Sequence, residues 1–187
     1  STMARQFLRV NEGMVEPRSD LIRSVLINGA DDLGTADIPN PFEGWGQINI
    51  SNSLYPEYNG IQLDQLYDDS RELKPGHSFV YTIQSETNSR FDVTLVWNDP
   101  EGSAVANQSS PKLLNDLDLK ITSPSGIVYY GNNFVNGYST PGGEEDSLNN
   151  VERFRIDEPD IGTWSVEVGH AGGSLQDYAI VMSGSII

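Results

Sequence analysis

Two aspartates set two residues apart carry the first chemistry in this chain. In "LLNDLDLKI" (residues 113–121), Asp116 and Asp118 alternate with Leu117 and Leu119. On an extended strand, residues i and i+2 share a face, so both carboxylates project together while the leucines enter a core. Like charges that close repel unless a cation or a basic group sits between them. A second stretch, "EEDSLNNVER" (144–153), adds Glu144, Glu145, Asp146, Asn149, Asn150 and Glu152. If it folds back on the first, the oxygens suffice for calcium, which takes about six to eight of them. We therefore expect calcium within residues 98–152, with Asp116, Asp118, Asp146 and Glu152 as ligands. "NDLDL" is not an EF-hand pattern, and an ion pair to Arg153 or Arg155 is the competing arrangement. Paired carboxylates also serve glycosidases, but no aromatic sugar platform surrounds these.

Other chemistries find less support. The chain has no cysteine, which removes disulfides, thiolate catalysis and cysteine-bound zinc. His77 and His170 lie far apart, outside any metal-ligand spacing, and read as exposed turn or strand-end residues. Ser1 has no base nearby in sequence to make it a nucleophile. "NIS" (49–51) and "NQS" (107–109) match the glycosylation sequon, a weak pattern. Eleven basic against 27 acidic residues give a net charge of −16. Such a surface repels phosphate backbones and anionic lipid, so neither nucleic acid nor membrane is an expected partner. No apolar run approaches bilayer length.

The elements that must position these carboxylates come in two kinds. Residues 1–54 read as helical: Met3, Phe7 and Leu8 share a face, then Pro17 and an N-cap at Ser19 start a second helix. Leu21, Ile22, Val25 and Leu26 form its apolar stripe and Gly29 stops it. From about residue 55 the period falls to two. "HSFVYTI", "RFDVTLVWNDP", "NDLDLKIT", "IVYYGN", "VERFRI", "GTWSVEVGH" and "QDYAIVMSG" alternate apolar and polar residues. Trp97 and Trp164 point inward in this reading. About eight short strands punctuated by Gly, Pro and Asn predict a mainly β fold: an antiparallel, jelly-roll-like β-sandwich (55–187) preceded by a short helical segment (1–54). "PEYNG" and "YDDS", between 56 and 70, read as linker. Loops 98–115 and 131–150 are long for a compact domain. The Tyr129–Tyr130 pair reads as edge-strand packing.

Specific motifs then point to a family. "ARQFL", "PRSDLIRSVLINGA" and "GWGQINI" (4–8, 17–30 and 44–50) resemble, in order, the end of the catalytic domain of subtilisin-like serine proteases. There a helix carrying the nucleophilic serine ends in a run like "ALVRQYL", a "PSxxLLKAxLINGA" helix follows, and "GWGxxNL" closes the domain. The remainder, through "VTLVWNDP", "NDLDLKITSPSG", "NNVERFRI", "GTWSVEV" and "QDYAIVMSG", resembles the carboxy-terminal sandwich of some subtilases, similar to the P domain of proprotein convertases. The resemblance implies a secreted endopeptidase acting on proteins or peptides, whose sandwich packs on and stabilises its catalytic domain, often with calcium. The family's Asp-His-Ser triad and its "GTSMATP"-like turn have no counterpart here: Ser1-Thr2-Met3 lacks the flanking Gly and Ala-Thr-Pro. Hydrolysis is therefore expected of a parent enzyme, not of this chain. The alternative from another class is an independent carbohydrate-binding or adhesion sandwich.

Overall fold

The computed structural model describes residues 1–34, 37–87, 89–102 and 112–187. Three helices come first: α1 (Thr2–Val10), α2 (Ser19–Asn28) and α3 (Ile50–Leu54). In α1 the buried side is Ala4 and Leu8, with Phe7 packed beside them, whereas Met3, expected on that side, is 62% exposed. Ser19 is the first helical residue of α2, not its cap. Arg18 takes the cap position and pairs with the fully buried Asp20. The Ser19 hydroxyl instead accepts a bond from Asn98 Nδ2 at 3.0 Å.

Twelve strands follow among the described residues: β1 (Glu57–Tyr58), β2 (Ile61–Gln62), β3 (Asp64–Leu73), β4 (Ser78–Ser85), β5 (Phe91–Val96), β6 (Asp116–Thr122), β7 (Val128–Tyr130), β8 (Phe134–Val135), β9 (Tyr138–Ser139), β10 (Val151–Ile156), β11 (Gly162–Gly172) and β12 (Gln176–Gly184). The longer ones make two antiparallel four-stranded sheets, in the orders β10-β5-β12-β3 and β4-β11-β6-β7. The chain passes back and forth between the sheets, as a jelly-roll-like sandwich requires. The stretch expected to be linker holds a small hairpin, β1–β2, and the ten-residue β3. Mostly polar, β3 forms an edge with one neighbour, β12. Polar edge strands resist pairing with other chains, which accounts for a strand with no apolar alternation.

Inward residues of both sheets interlock between them: Phe91, Val93, Leu95, Trp97, Leu117, Leu119, Ile121, Phe154, Trp164, Val166, Val168 and Tyr178. Phe91, Phe154 and Trp164 add edge-to-face and tilted ring contacts at 5.6–6.1 Å, and Tyr129 joins them from the edge strand β7. The tryptophans and Tyr129 thus take the places expected of them.

A second apolar cluster turns the sandwich into three layers. Ala4, Leu8, Leu21, Ile22, Val25 and Leu54 of the helices close on Ala179 and Val181, which face outward from β12. Covering this face buries the polar side of β5 too: Asp92 is 3% and Thr94 0% exposed. Several of the buried polar groups there bond to one another. Ser24 Oγ donates to Thr94 O (2.6 Å), Thr94 Oγ1 to Asn28 Oδ1 (2.9 Å), and Asn28 Nδ2 to Ser183 Oγ (2.9 Å). At the rim, Arg18 reaches Asp177 (3.0 Å) and the carbonyl of Asp69 (2.9 Å). The helical segment is built into the sandwich.

Candidate functional site

Strand β6 pairs along its whole length with β11, but with β7 only over Lys120–Thr122. Its first half is thus a free edge. The gap is filled from the opposite sheet: Glu152, on β10, sends its carboxylate across, and Leu119 N donates to Oε2 at 2.7 Å. Gly131 stands where any side chain would collide with that carboxylate. Glu152 is fully buried, Asp118 is 7% exposed, and Asp116 lies beside them at the start of the strand.

Asp146, in the loop before β10, is held by three donors: Asn132 Nδ2 (2.5 Å), Asn149 Nδ2 (2.7 Å) and Leu148 N (2.9 Å). The four expected residues therefore come to one end of the sandwich, where their charges act on one another. Burial first, then the charges of Glu145, Asp116 and Asp146, push the Asp118 carboxyl up to about 7. Asp116 is raised by burial and then by Asp146 and Glu145. Glu152 is raised well above the ordinary range by burial, outweighing its bond from Leu119.

Three buried oxygens in this cluster, Asp116 Oδ1, Asp118 Oδ1 and Glu152 Oε1, have no hydrogen-bond partner. Buried polar atoms are seldom left so, because losing water without a replacement costs about 1–3 kcal/mol each. A hard cation is one group that would satisfy all three, since carboxylate oxygens are its ordinary ligands. Among the described residues, however, no three Asp, Glu or His side chains close into a metal-holding group. The carboxylates share a neighbourhood without forming such a group.

The competing ion pair to Arg153 or Arg155 does not form. Those side chains leave β10 on the other face, toward the helices. Arg155 Nε donates to Asp92 Oδ1 at 2.5 Å, Arg153 lies 3.9 Å from the same oxygen, and Arg153 Nη2 donates to Asn28 O at 2.9 Å. Burial and the neighbouring Arg155 hold the Arg153 pKa below its ordinary value.

Neither histidine is set up as a base. His170, expected at the surface, is 3% exposed, with Nδ1 3.1 Å from Asp116 O and Nε2 2.6 Å from Ser174 O. His77 Nδ1 faces Pro75 O at 3.3 Å. A cleft of about 720 Å³ opens where Asp31, Asp32 and Asp37 meet Arg90, Arg155 and Tyr138. Its arginines are engaged, Arg90 with Asp157 and Arg155 with Asp92, and Tyr138 is the one aromatic among its described lining residues. Half of loop 98–115, with the sequon at 107–109, lies outside the described residues. Loop 131–150 contains the β8–β9 hairpin, and no described helix is long and apolar enough to cross a membrane.

Sequence reasoning missed the partners on the helix side, above all Asn28 and Asp92. It also missed Asn132, whose αL backbone (φ 60°) places its amide between Asp146 and β10. The "GN" dipeptide ending "IVYYGN" was the available signal.

No protein-family model matches the chain. Two Dictyostelium discoideum proteins are similar to it: serine protease/ABC transporter B family protein tagA, 26% identical over 160 residues (82% of this chain, 9% of that protein), and its namesake tagD, 27% over 190 residues (76% and 10%). The chain spans about a tenth of the length of these relatives. Among solved structures, the P-domain of Macrobrachium rosenbergii nodavirus covers 64% of this chain and 90% of its own, at 11% identity and a TM-score of 0.18, which is too low to carry an argument.

Proposed function

We propose that this chain is the carboxy-terminal part of a secreted subtilisin-like serine endopeptidase. Its β-sandwich stabilises the end of the catalytic domain, and calcium held by Asp116, Asp118, Asp146 and Glu152 reinforces the sandwich. The observation that carries the reading is the buried polar seam that locks α2, the helix matching the subtilase motif, onto β5 and β12. Similarity to proteins named as serine proteases supports it. The outer side of the helical segment supports it as well. Val10, Phe42 and Ile48 are exposed within that segment, and Leu26, Ile27, Ala30, Trp45 and Ile48, with Arg23, line a mostly apolar hollow of about 190 Å³. The remaining catalytic domain would rest on this hollow.

Calcium's part would be linkage: an ion bound only by the folded state adds about 2.7 kcal/mol at a hundredfold excess over Kd. At the site it would replace mutual repulsion with shared coordination. The triad, the protein or peptide substrates and the cleavage itself would belong to the parent.

The test captures the native protein with antibodies against this chain and treats it with a fluorophosphonate, which labels activated serines. Labelling of a polypeptide longer than 187 residues, with heat resistance lost in EDTA, is the expected result. A captured protein that never labels would overturn the protease reading.

A further inference from the structure

Among the described residues the two large sheets end in the edge strands β3, β10, β7 and β4, and the first three are guarded against a further strand. β3 carries Asp64, Asp68, Asp69, Arg71 and Glu72. β10 carries Glu152, Arg153 and Arg155, and on its open side Asn132 N donates to Arg153 O (2.9 Å). β7 is three residues long, and Gly142 N donates to Val128 O (2.8 Å). Charge, shortness and cover are the ordinary ways of closing an edge. β4 uses none of them over most of its length. Its eight residues, "SFVYTIQS", hold no charge and no proline, and only β11 pairs with it as a strand among the described residues.

The cover on β4 lies at its far end. Gln84 N donates to Ile187 O (3.0 Å), Ile187 N to Gln84 O (3.1 Å), and Glu86 N to Ser185 O (3.0 Å). Gln84 thus turns its N–H and C=O away from β11. In an antiparallel ladder that orientation recurs every second residue, so Thr82, Val80 and Ser78 turn theirs outward as well. At the near end His170 N, from β11, donates to His77 O, which fixes the same alternation. The backbone from Ser78 to Thr82 is therefore open, and side chains 78, 80 and 82 are exposed, Val80 by 47%.

This open stretch is its own complement. Ser78-Phe79-Val80-Tyr81-Thr82 reads alike in both directions: hydroxyl, aromatic, valine, aromatic, hydroxyl. Laid antiparallel on a copy of itself about Val80, it sets Ser78 against Thr82, Phe79 against Tyr81 and Val80 against Val80. The outward groups at 78, 80 and 82 then all find partners, in about six backbone bonds. Hydroxyl and aromatic pairs across strands add to them. The same register brings Lys74 of one copy toward the end of the strand where the other carries Glu86.

We propose that β4 is a self-association edge: two copies of this chain pair through Ser78–Thr82 about a two-fold axis at Val80, joining their β4-β11-β6-β7 sheets into one. Such an interface is isologous and closes on itself, so it yields a dimer and not a fibre. It forms against charge. Each chain carries −16, and the acidic strand β3, whose Arg71 lies 3.5 Å over the Phe79 ring, runs beside the interface. Salt should therefore tighten the dimer. The inference is independent of the protease and calcium readings.

The experiment is sedimentation of the 187-residue chain across micromolar concentrations, at low and high salt, with Val80→Cys and Thr82→Cys to read the register. The chain has no cysteine of its own, so each variant holds a single thiol. In the proposed dimer the two Cα atoms at 80 face each other at about 5.5 Å, within disulfide range, whereas those at 82 lie about 13 Å apart. We expect a monomer–dimer equilibrium that salt shifts toward dimer, and a disulfide dimer from oxidised Val80→Cys but not from Thr82→Cys. Val80→Pro removes the N–H at the axis from both copies and should weaken the dimer about tenfold or more. If Val80→Pro does not fold, Val80→Lys serves: within one chain it lies opposite Glu167 of β11, and across the axis it meets its own like charge. A monomer at every concentration and salt, equal cross-linking at 80 and 82, or a dimer that a folded Val80 variant leaves unchanged would overturn the proposal.

Discussion

Both faces of β10 bury charge, and they handle it in opposite ways. Toward the helices, Arg153 and Arg155 share Asp92 and the carbonyl end of α2, and Asn28, Thr94, Ser24 and Ser183 complete a bonded seam. Toward β6, Glu152, Asp118 and Asp116 are of one sign, and each leaves an oxygen without a partner. The seam contains its own counter-charges. The acidic end does not, and under the function proposed above a cation would supply them.

Breaking the seam should have the largest effect. Asp92→Leu strips the shared carboxylate from two buried guanidinium groups and should cost about 3–5 kcal/mol, read as a lower urea midpoint. A loss below about 1 kcal/mol would mean that the arginines are satisfied elsewhere. The acidic end should respond next, to pH. The folded-state pKa of Asp118, about 7, lies above its ordinary value of 3.8. A carboxyl raised in this way favours the folded protein while protonated in both states. That contribution fades as pH climbs from about 4 to 7, so calcium-free stability should drop by a few kcal/mol across the window. Saturating calcium should flatten the slope, since the ion replaces the protons. Because Asp68 and Asp157, whose carboxyls are lowered, act the other way, the slope is read against Asp118→Asn: a calcium-free melting temperature whose pH slope is the same in that variant would contradict the unpaired reading.

Smaller changes sharpen the contrast. Glu152→Gln keeps an acceptor for Leu119 N and removes the charge. In EDTA at pH 8 it should raise stability by about 1–2 kcal/mol and abolish any response to calcium; a destabilised variant would show the carboxylate to be paired. Lys120→Met, which removes a half-exposed pair with Glu167, should move stability by less than about 0.5 kcal/mol and serves as the surface control.

The strands with strong alternation were legible from sequence, as was the inward course of Trp97, Leu119, Val166 and Ile180. The helix pair was legible too, since Leu21, Ile22 and Val25 keep a helical period. What stayed hidden followed from tertiary contact. Thr94 and Asp92 look like a solvent face until α2 covers them, and nothing local to β5 announces that cover. β3 carries too few apolar residues to register as a strand, because an edge strand needs few. Two hairpins were legible and overlooked: Asn59-Gly60 and Asn136-Gly137 both take positive φ, as tight two-residue turns between strands demand. His170 is buried because backbone carbonyls of Asp116 and Ser174 come to its ring, a contact made by folding alone. Spacing marked Asp116 and Asp118 as sharing a face and the acid-rich run 144–153 offered Asp146 and Glu152 as candidates, whereas the way Glu152 reaches β6 from the other sheet depends on where β7 stops pairing.

The most direct measurement is a thermal melt of the 187-residue chain at pH 7.5, in EDTA and then in millimolar calcium, with magnesium as control. The account predicts a calcium-specific rise in midpoint that magnesium does not reproduce and that Glu152→Gln eliminates. A midpoint indifferent to calcium would contradict it, leaving Asp116, Asp118 and Glu152 as buried carboxyls that hold their protons.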